Sequence, residues 1–319
     1  MTRLITLFLA VVIALQPLEA GERADSASCL KPAARIAIQG GTALALNISL
    51  TEVLKSAVSE RRPDGGGDDS FPSRHTSWTF NVATIFSNEL YGHSALWPVG
   101  FHFAATAVGL QRAVTERHYP SDVLAGAALG IASTELGYYL ADLAMGRHAC
   151  RRRYAASTPD WRPSLSMTTT ALFPVTRAMR DGTRLGSTGV AGRLRLGLPM
   201  SDSFGVSLNA LMTSLPLYRD GVFATSVNGI GATLAVDYYR ALGEMPWSFE
   251  ASAGVGALKN FRISDKVVRS ASFVGECRAG AFYGLTRTFN IGAEAGYMLM
   301  TLGKTVSSLT LSLSTRAMF

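Results

Sequence analysis

The feature that most constrains this chain is a change of hydrophobic period near residue 155. Ahead of it, apolar residues recur at helical spacing through 34–60, 76–91, 95–115 and 120–146, which predicts four helices. After residue 160 the period becomes two. Val190, Gly192, Leu194, Leu196 and Leu198 alternate with Ala191, Arg193, Arg195 and Gly197, and the same alternation returns at 232–239, 249–257, 273–281 and 291–299. Further strands fit 164–173, 204–213 and 305–319, making eight. One packed layer cannot serve both periods. The expected fold class is α + β multidomain: an N-terminal all-α helical bundle (29–150), a linker (151–162), then an 8-stranded antiparallel transmembrane β-barrel (163–319).

The β half has one apolar face and one charged face on segments of about ten residues, as membrane barrels do. Closure leaves no unpaired edge in lipid. The second face carries Arg193, Arg195 and Arg278 against Asp237, Glu250, Glu276 and Glu294. Eight strands enclose a space that side chains fill, so these charges should pair as an internal plug. Segments 174–187, 214–228 and 259–270 are expected as long outer loops, and 199–203, 242–247 and 284–288 as short inner turns. The terminal Phe319 resembles the C-terminal aromatic that the barrel assembly machinery reads, so that machinery and outer-membrane lipid are expected partners.

Arg3, the apolar run Leu4–Leu15 and Leu18-Glu19-Ala20 read as a secretory signal over residues 1–20, with an uncleaved anchor as the alternative. Export permits a Cys29–Cys150 disulfide, leaving Cys277 odd; three free thiols are the alternative. The cysteines lack zinc spacing. A net charge of +7 suits anionic partners, but no Lys/Arg-rich block points to nucleic acid. Gln39, Asn47, His102, Glu135 and Asp142 interrupt the helical segments, which suggests a compact bundle lying against a membrane rather than crossing it.

All five histidines (His75, His93, His102, His118 and His148) precede the barrel, so histidine-dependent chemistry belongs to the helical half. Lys55, Arg62 and Arg112 suit a dianionic phosphate, the arginines binding its oxygens in pairs. Ser73 is placed to cap the following helix and leave N–H groups facing an anion. Asp122 is placed to accept from one nitrogen of His118, freeing the other to attack. His75 remains as acid for the leaving oxygen. His93, His102, Arg117, Trp78, Trp97, Tyr138 and Tyr139 read as surface or packing residues, the aromatics packing the bundle or meeting lipid.

Lys55-x6-Arg62-Pro63, then Pro72-Ser73-x-His75, then Arg112-x5-His118-x3-Asp122 resembles the three-part pattern of the type 2 phosphatidic acid phosphatases, shared by bacterial acid phosphatases and vanadium haloperoxidases. Ser70-Phe71-Pro72-Ser73 and His118-Tyr119-Pro120-Ser121-Asp122-Val123-Leu124-Ala125-Gly126 carry it furthest, over residues 33–146. The resemblance implies His118 as a nucleophile forming phosphohistidine, Asp122 as its orienting partner and His75 as the leaving-group acid. Lys55, Arg62, Ser73, Arg112 and the backbone N–H of Arg74 would cradle the phosphate, with no metal or other cofactor for hydrolysis. Arg74 stands where the family usually has Gly, and Gln111 where it has Ser; Arg74 would crowd the phosphate or add a positive contact. The implied activity is hydrolysis of a phosphorylated lipid or small phosphomonoester in the bacterial outer membrane. Because the barrel follows the helices, the phosphatase domain is expected in the periplasm. An outer-membrane structural or adhesion barrel with an inactive domain, and a vanadium-dependent haloperoxidase, are the alternatives.

Overall fold

The computed structural model describes residues 32–91, 93–146, 161–179, 182–261, 271–286, 288–302 and 304–319. Residues 1–20, expected as a signal, Cys29, Cys150 and most of the expected linker lie outside them. Four helices come first: α1 (Pro32–Ala57), α2 (Arg74–Leu90), α3 (Leu96–Val114) and α4 (Pro120–Met145). Then follow β1 (Ser164–Pro174), β2 (Arg184–Leu185), β3 (Gly189–Pro199), β4 (Phe204–Arg219), β5 (Val222–Ala241), β6 (Trp247–Phe261), β7 (Ala271–Gly284), β8 (Phe289–Thr301) and β9 (Thr305–Met318).

Helix α4 is the centre of the bundle. Pro120 suits its first turn, and the Asp122 carboxylate accepts from the Tyr119 N–H at 2.9 Å. Glycines bring it into backbone contact with its neighbours. A Cβ at Gly130 would lie 2.4 Å from the Ser77 carbonyl oxygen of α2, and one at Gly137 would lie 2.5 Å from Ala43 Cα of α1. A polar seam runs between these helices. Asn47 donates to Ser77 Oγ at 2.7 Å and Ser133 Oγ at 3.0 Å, and Asn81 donates to Thr134 Oγ1 at 2.8 Å. Buried polar groups are stable here because they satisfy one another.

The eight long strands form a closed antiparallel barrel in which β1 pairs with both β3 and β9 and the circuit closes through β4–β5. The segment expected as an outer loop at 214–228 is instead a projecting hairpin. Strands β4 and β5 continue through it to a two-residue Asp220-Gly221 turn with φ of 51° and 82°, the positive values a type I′ turn requires. The short β2, not foreseen, pairs Arg184 and Leu185 with Tyr218 and Leu217 of this hairpin.

The barrel lumen is filled, as expected. Arg195 bridges Asp237 at 3.0 Å and Glu250 at 3.2 Å, Arg193 meets Glu276, and Arg316, which the alternation had not singled out, clasps Glu250. Leu172, Leu211, Leu258, Met298, Met300 and Val306 pack the rest of the interior.

The helices do not sit at one end of the barrel; they lie along its outer wall. Leu110, Ala113, Val123 and Leu124 pack on Ala171, Phe173 and Val190, while Ala95 and Val99 pack on Met167, Phe289 and Ala317. Thr106 Oγ1 lies 2.9 Å from Thr169 Oγ1. Gly192 lets α3 touch the wall, since a Cβ there would be 2.7 Å from Leu110 Cδ1. Strand register orders these contacts. Phe289 and Ala317 lie at the end where β1 starts and β9 finishes, together with the short connections 200–203, 242–246 and 285–288. Phe173 and Val190 lie at the opposite end. Thus α3 traverses the wall from one end to the other.

Candidate active site

The chemistry-bearing residues gather where α1 and α3 finish and α2 and α4 begin. The loop between α1 and α2 folds on itself: Glu60 N–H donates to the Asp68 carbonyl at 3.0 Å, Arg62 N–H to Gly67 at 2.8 Å, and Ser70 N–H to Glu60 at 2.9 Å. Ser73 N–H then donates to the Asp122 carbonyl at 3.1 Å, joining this loop to the start of α4. His118 is held from the third side, its N–H donating to the Arg112 carbonyl at 3.3 Å.

His118 and Asp122 are buried together, and the arrangement differs from the expected direct hydrogen bond. His118 Nδ1 lies 2.9 Å from the Ser70 carbonyl oxygen and 3.8 Å from Asp122 Oδ2. A carbonyl only accepts, so Nδ1 carries the proton and Nε2 is left with the lone pair. Asp122 Oδ2 accepts from Ser70 Oγ at 2.6 Å and from Tyr119 N–H at 2.9 Å. The ring is therefore positioned by the Ser70 backbone, with Asp122 holding Ser70 and adding an anion beside the ring.

Lys55 Nζ donates to the Asp69 carbonyl and lies 3.8 Å from the Asp69 carboxylate; Arg62 Nη2 donates to that carboxylate at 3.1 Å. Asp69 thus rests on two of the three expected phosphate-binding cations, and an incoming phosphate must compete with it. Arg112 Nε is buried without a hydrogen-bond partner, a donor available to an anion. Ser73 does not cap α2: its hydroxyl accepts from Thr76 Oγ1 at 2.9 Å, leaving its own O–H to donate elsewhere. His75 is exposed in the first turn of α2, within electrostatic reach of Arg112, His118 and Arg62. Arg74 Nη2 meets Glu52 at 2.8 Å with both side chains about half exposed, and its charge still reaches Lys55 and His75. Gln111 is exposed on α3.

Three contributors escaped the sequence reading. Ser70 was visible only as part of a matching stretch. Glu60 has no motif, yet burial, and then the Asp122 carboxylate, push it up to about 7. The third is the barrel itself. Tyr119 stacks on Tyr218 at 6.5 Å between ring centroids and meets Phe223 edge-on at 5.5 Å, both on the projecting hairpin. Glu116 Oε1 accepts from Thr225 Oγ1 at 2.7 Å and from Ser226 N–H at 2.9 Å. The site therefore lies at the barrel end remote from residue 163, whereas a domain suspended below the barrel, as chain order suggested, would lie at the near end.

Glu60 gives a pH prediction. Its folded value lies above its unfolded 4.5, so its contribution to stability is greatest at low pH and is lost as pH rises through about 7. Ionised, it also sets a second anion beside Asp122. Activity on an anionic substrate is expected to fall as pH rises through about 7, and Glu60→Gln to carry activity to higher pH. Identical pH–rate profiles for the two proteins would remove Glu60 from the site.

Residues 37–145 match the model described as the PAP2 superfamily, so the helical half is a PAP2 superfamily domain, fused here to a closed eight-stranded barrel. Over 109 residues the chain is 37% identical to a lipid A 1-phosphatase of Porphyromonas gingivalis, a stretch covering 34% of this chain and 24% of that protein. The chain thus spans about a quarter of the relative's length. Among solved structures, Neisserial surface protein A is 16% identical with a TM-score of 0.37, covering 49% of this chain and 97% of that one. OprG, an outer membrane protein of Pseudomonas aeruginosa, is 12% identical with a TM-score of 0.35, covering 51% and 98%.

Proposed function

We propose that this protein is an outer-membrane phosphatase that hydrolyses phosphomonoesters, phosphorylated lipids above all, through a phosphohistidine at His118. The observation that carries the reading is the Nδ1 contact to the Ser70 carbonyl, which leaves Nε2 of a buried imidazole as nucleophile, in a cluster where Arg112 Nε is buried without a partner. In the first step Nε2 attacks phosphorus, the bond from phosphorus to the ester oxygen breaks, and His75 protonates the departing alcohol. Arg62, Arg112, Lys55, the Ser73 hydroxyl and the N–H groups opening α2 hold the three remaining phosphoryl oxygens. In the second step water, giving a proton back to His75, attacks phosphorus; the N–P bond breaks and inorganic phosphate leaves. The identity to a protein named for dephosphorylating lipid A favours a lipid substrate. The closed barrel, with an outer apolar band and a filled interior, favours the outer membrane.

The test is phosphate release by the detergent-purified full chain from phosphatidic acid, phosphatidylglycerophosphate, lipid A, isoprenyl diphosphate and p-nitrophenyl phosphate, with His118→Ala as blank. Release from at least one, absent from the blank, is expected. Equal rates for the folded wild type and the blank on every compound would overturn the phosphatase reading.

A further inference from the structure

The helices and the barrel wall occupy the same depth. The contacts of α3 with the wall run over most of the height of β1, from Met167 to Phe173, and bury wall residues that elsewhere face outward. Helix α3 has 19 residues, about 29 Å of rise, close to the ~30 Å of a bilayer's hydrocarbon core. A barrel that crosses a membrane must take these helices into it.

The outer face of the bundle suits that placement. It exposes Ile38, Ile48, Phe86, Phe103, Leu140 and Leu143, and the barrel wall likewise exposes Leu208, Ile230, Leu234 and Val255. Among the described residues, the exposed charged side chains of the four helices are Glu52 and Arg74, both at the site end. Charges at the opposite end are paired: Arg35 with Glu89 at 2.6 Å, Asp142 with Gln39, and Glu135 with Asn88 at 2.8 Å. Trp78 near the site and Trp97 at the start of α3 are exposed near the two ends of the bundle, where membrane–water interfaces favour tryptophan. At the end bearing the site, 14 residues join β1 to β3 and nine join β6 to β7, the projecting hairpin joins β4 to β5, and three residues join β8 to β9, against connections of four or five residues opposite. In membrane barrels the longer connections face the cell exterior.

We propose that the site opens at the headgroup level of the outer leaflet of the outer membrane. There it takes its phosphomonoester from a lipid whose acyl chains lie in that leaflet against the exposed helix faces. The chemistry rests on the phosphatase reading above; the placement does not. Lys55, Arg62 and Arg112 then meet a headgroup phosphate arriving sideways, while the Tyr119–Tyr218–Phe223 cluster closes the side against the barrel.

Placement and substrate are tested separately in intact cells making the full chain. Asp68→Cys, in the site loop, and Asp202→Cys, in a short turn, are exposed to a membrane-impermeant maleimide, with the parent chain as background. Gly66→Cys and Ser201→Cys repeat the pair if either fails to assemble. The site loop should label on intact cells, and the short turn only after the outer membrane is permeabilised. The reverse pattern, or labelling of the site loop only after permeabilisation, would overturn the placement. In the same cells, mass spectrometry should find outer-leaflet lipid depleted of phosphate at least tenfold relative to cells making His118→Ala. Hydrolysis of added p-nitrophenyl phosphate with the lipid phosphate untouched would assign the site to soluble esters and overturn the lipid source. If the purified protein also lacks His118-dependent turnover, the phosphatase reading fails while the maleimide result still decides the placement.

Discussion

Replacing His118 with alanine is expected to lower kcat by about 10⁴-fold or more, the scale seen when a covalent nucleophile is removed. Wild type stopped in alkali during turnover of a ³²P-labelled substrate should retain acid-labile phosphate on the chain, and His118→Ala should retain none. The geometry sets a contrast with Asp122. Its carboxylate is 3.8 Å from Nδ1, while the Ser70 carbonyl is 2.9 Å away and survives any side-chain substitution. Asp122→Asn keeps an oxygen to accept from Ser70 Oγ and Tyr119 N–H, so it should cost about 10²-fold in kcat with KM little changed. Loss as complete as that of His118→Ala would mean that the carboxylate, not the Ser70 backbone, fixes the imidazole.

The second large effect comes from one methyl group. A Cβ on Gly126 would lie 2.7 Å from the Ser73 carbonyl oxygen and 3.2 Å from Ser77 N. Both are backbone atoms in or near the first turn of α2, so relief requires α2 and α4 to separate. That movement carries Ser73 and the N–H groups behind it away from Asp122, which rides on α4, and from His118, two residues ahead of that helix. Overpacking of this kind costs about 1–3 kcal/mol of stability, and a displacement approaching 1 Å at the reacting groups costs about 10²-fold in rate. Gly126→Ala should therefore lower kcat/KM by about 10²-fold while the barrel keeps its heat-modifiable electrophoretic mobility. Unchanged kinetics would show that the two helices separate without disturbing the phosphate cradle.

Sequence carried the chemistry and the two periods, because both are local. The spacing of Arg112, His118 and Asp122 survives any arrangement of the rest, and alternation along a strand reports its two faces directly. Partnership between the halves was illegible for a physical reason. Phe173 and Val190 point outward from the barrel, and an apolar outward side chain suits a lipid tail and a helix equally. Gly192 was the available hint, a residue without a side chain in a row otherwise offering Val190, Leu194 and Leu196. The direct partner of His118 was hidden too, because a backbone carbonyl leaves no mark in a side-chain motif. Segment 214–228 read as loop because its strands project beyond the alternating stretches of their neighbours, and Asp220-Gly221 was the turn signal within it.

The polar seam between α1, α2 and α4 also bears on delivery. A protein bound for the outer membrane must first leave the inner one, and a helix that is sufficiently apolar is retained there. Asn47, Ser77, Asn81, Ser133 and Thr134 satisfy one another once folded, yet in the unfolded chain each lowers the hydropathy of its own helix. Among the described helices, Pro120–Met145 alone reaches the length and mean hydropathy of a membrane span, at a hydropathy of 1.2. The same polar side chains that hold the folded bundle together by hydrogen bonds would keep each separate helix polar enough for export, and would be masked only once the helices meet beside the barrel.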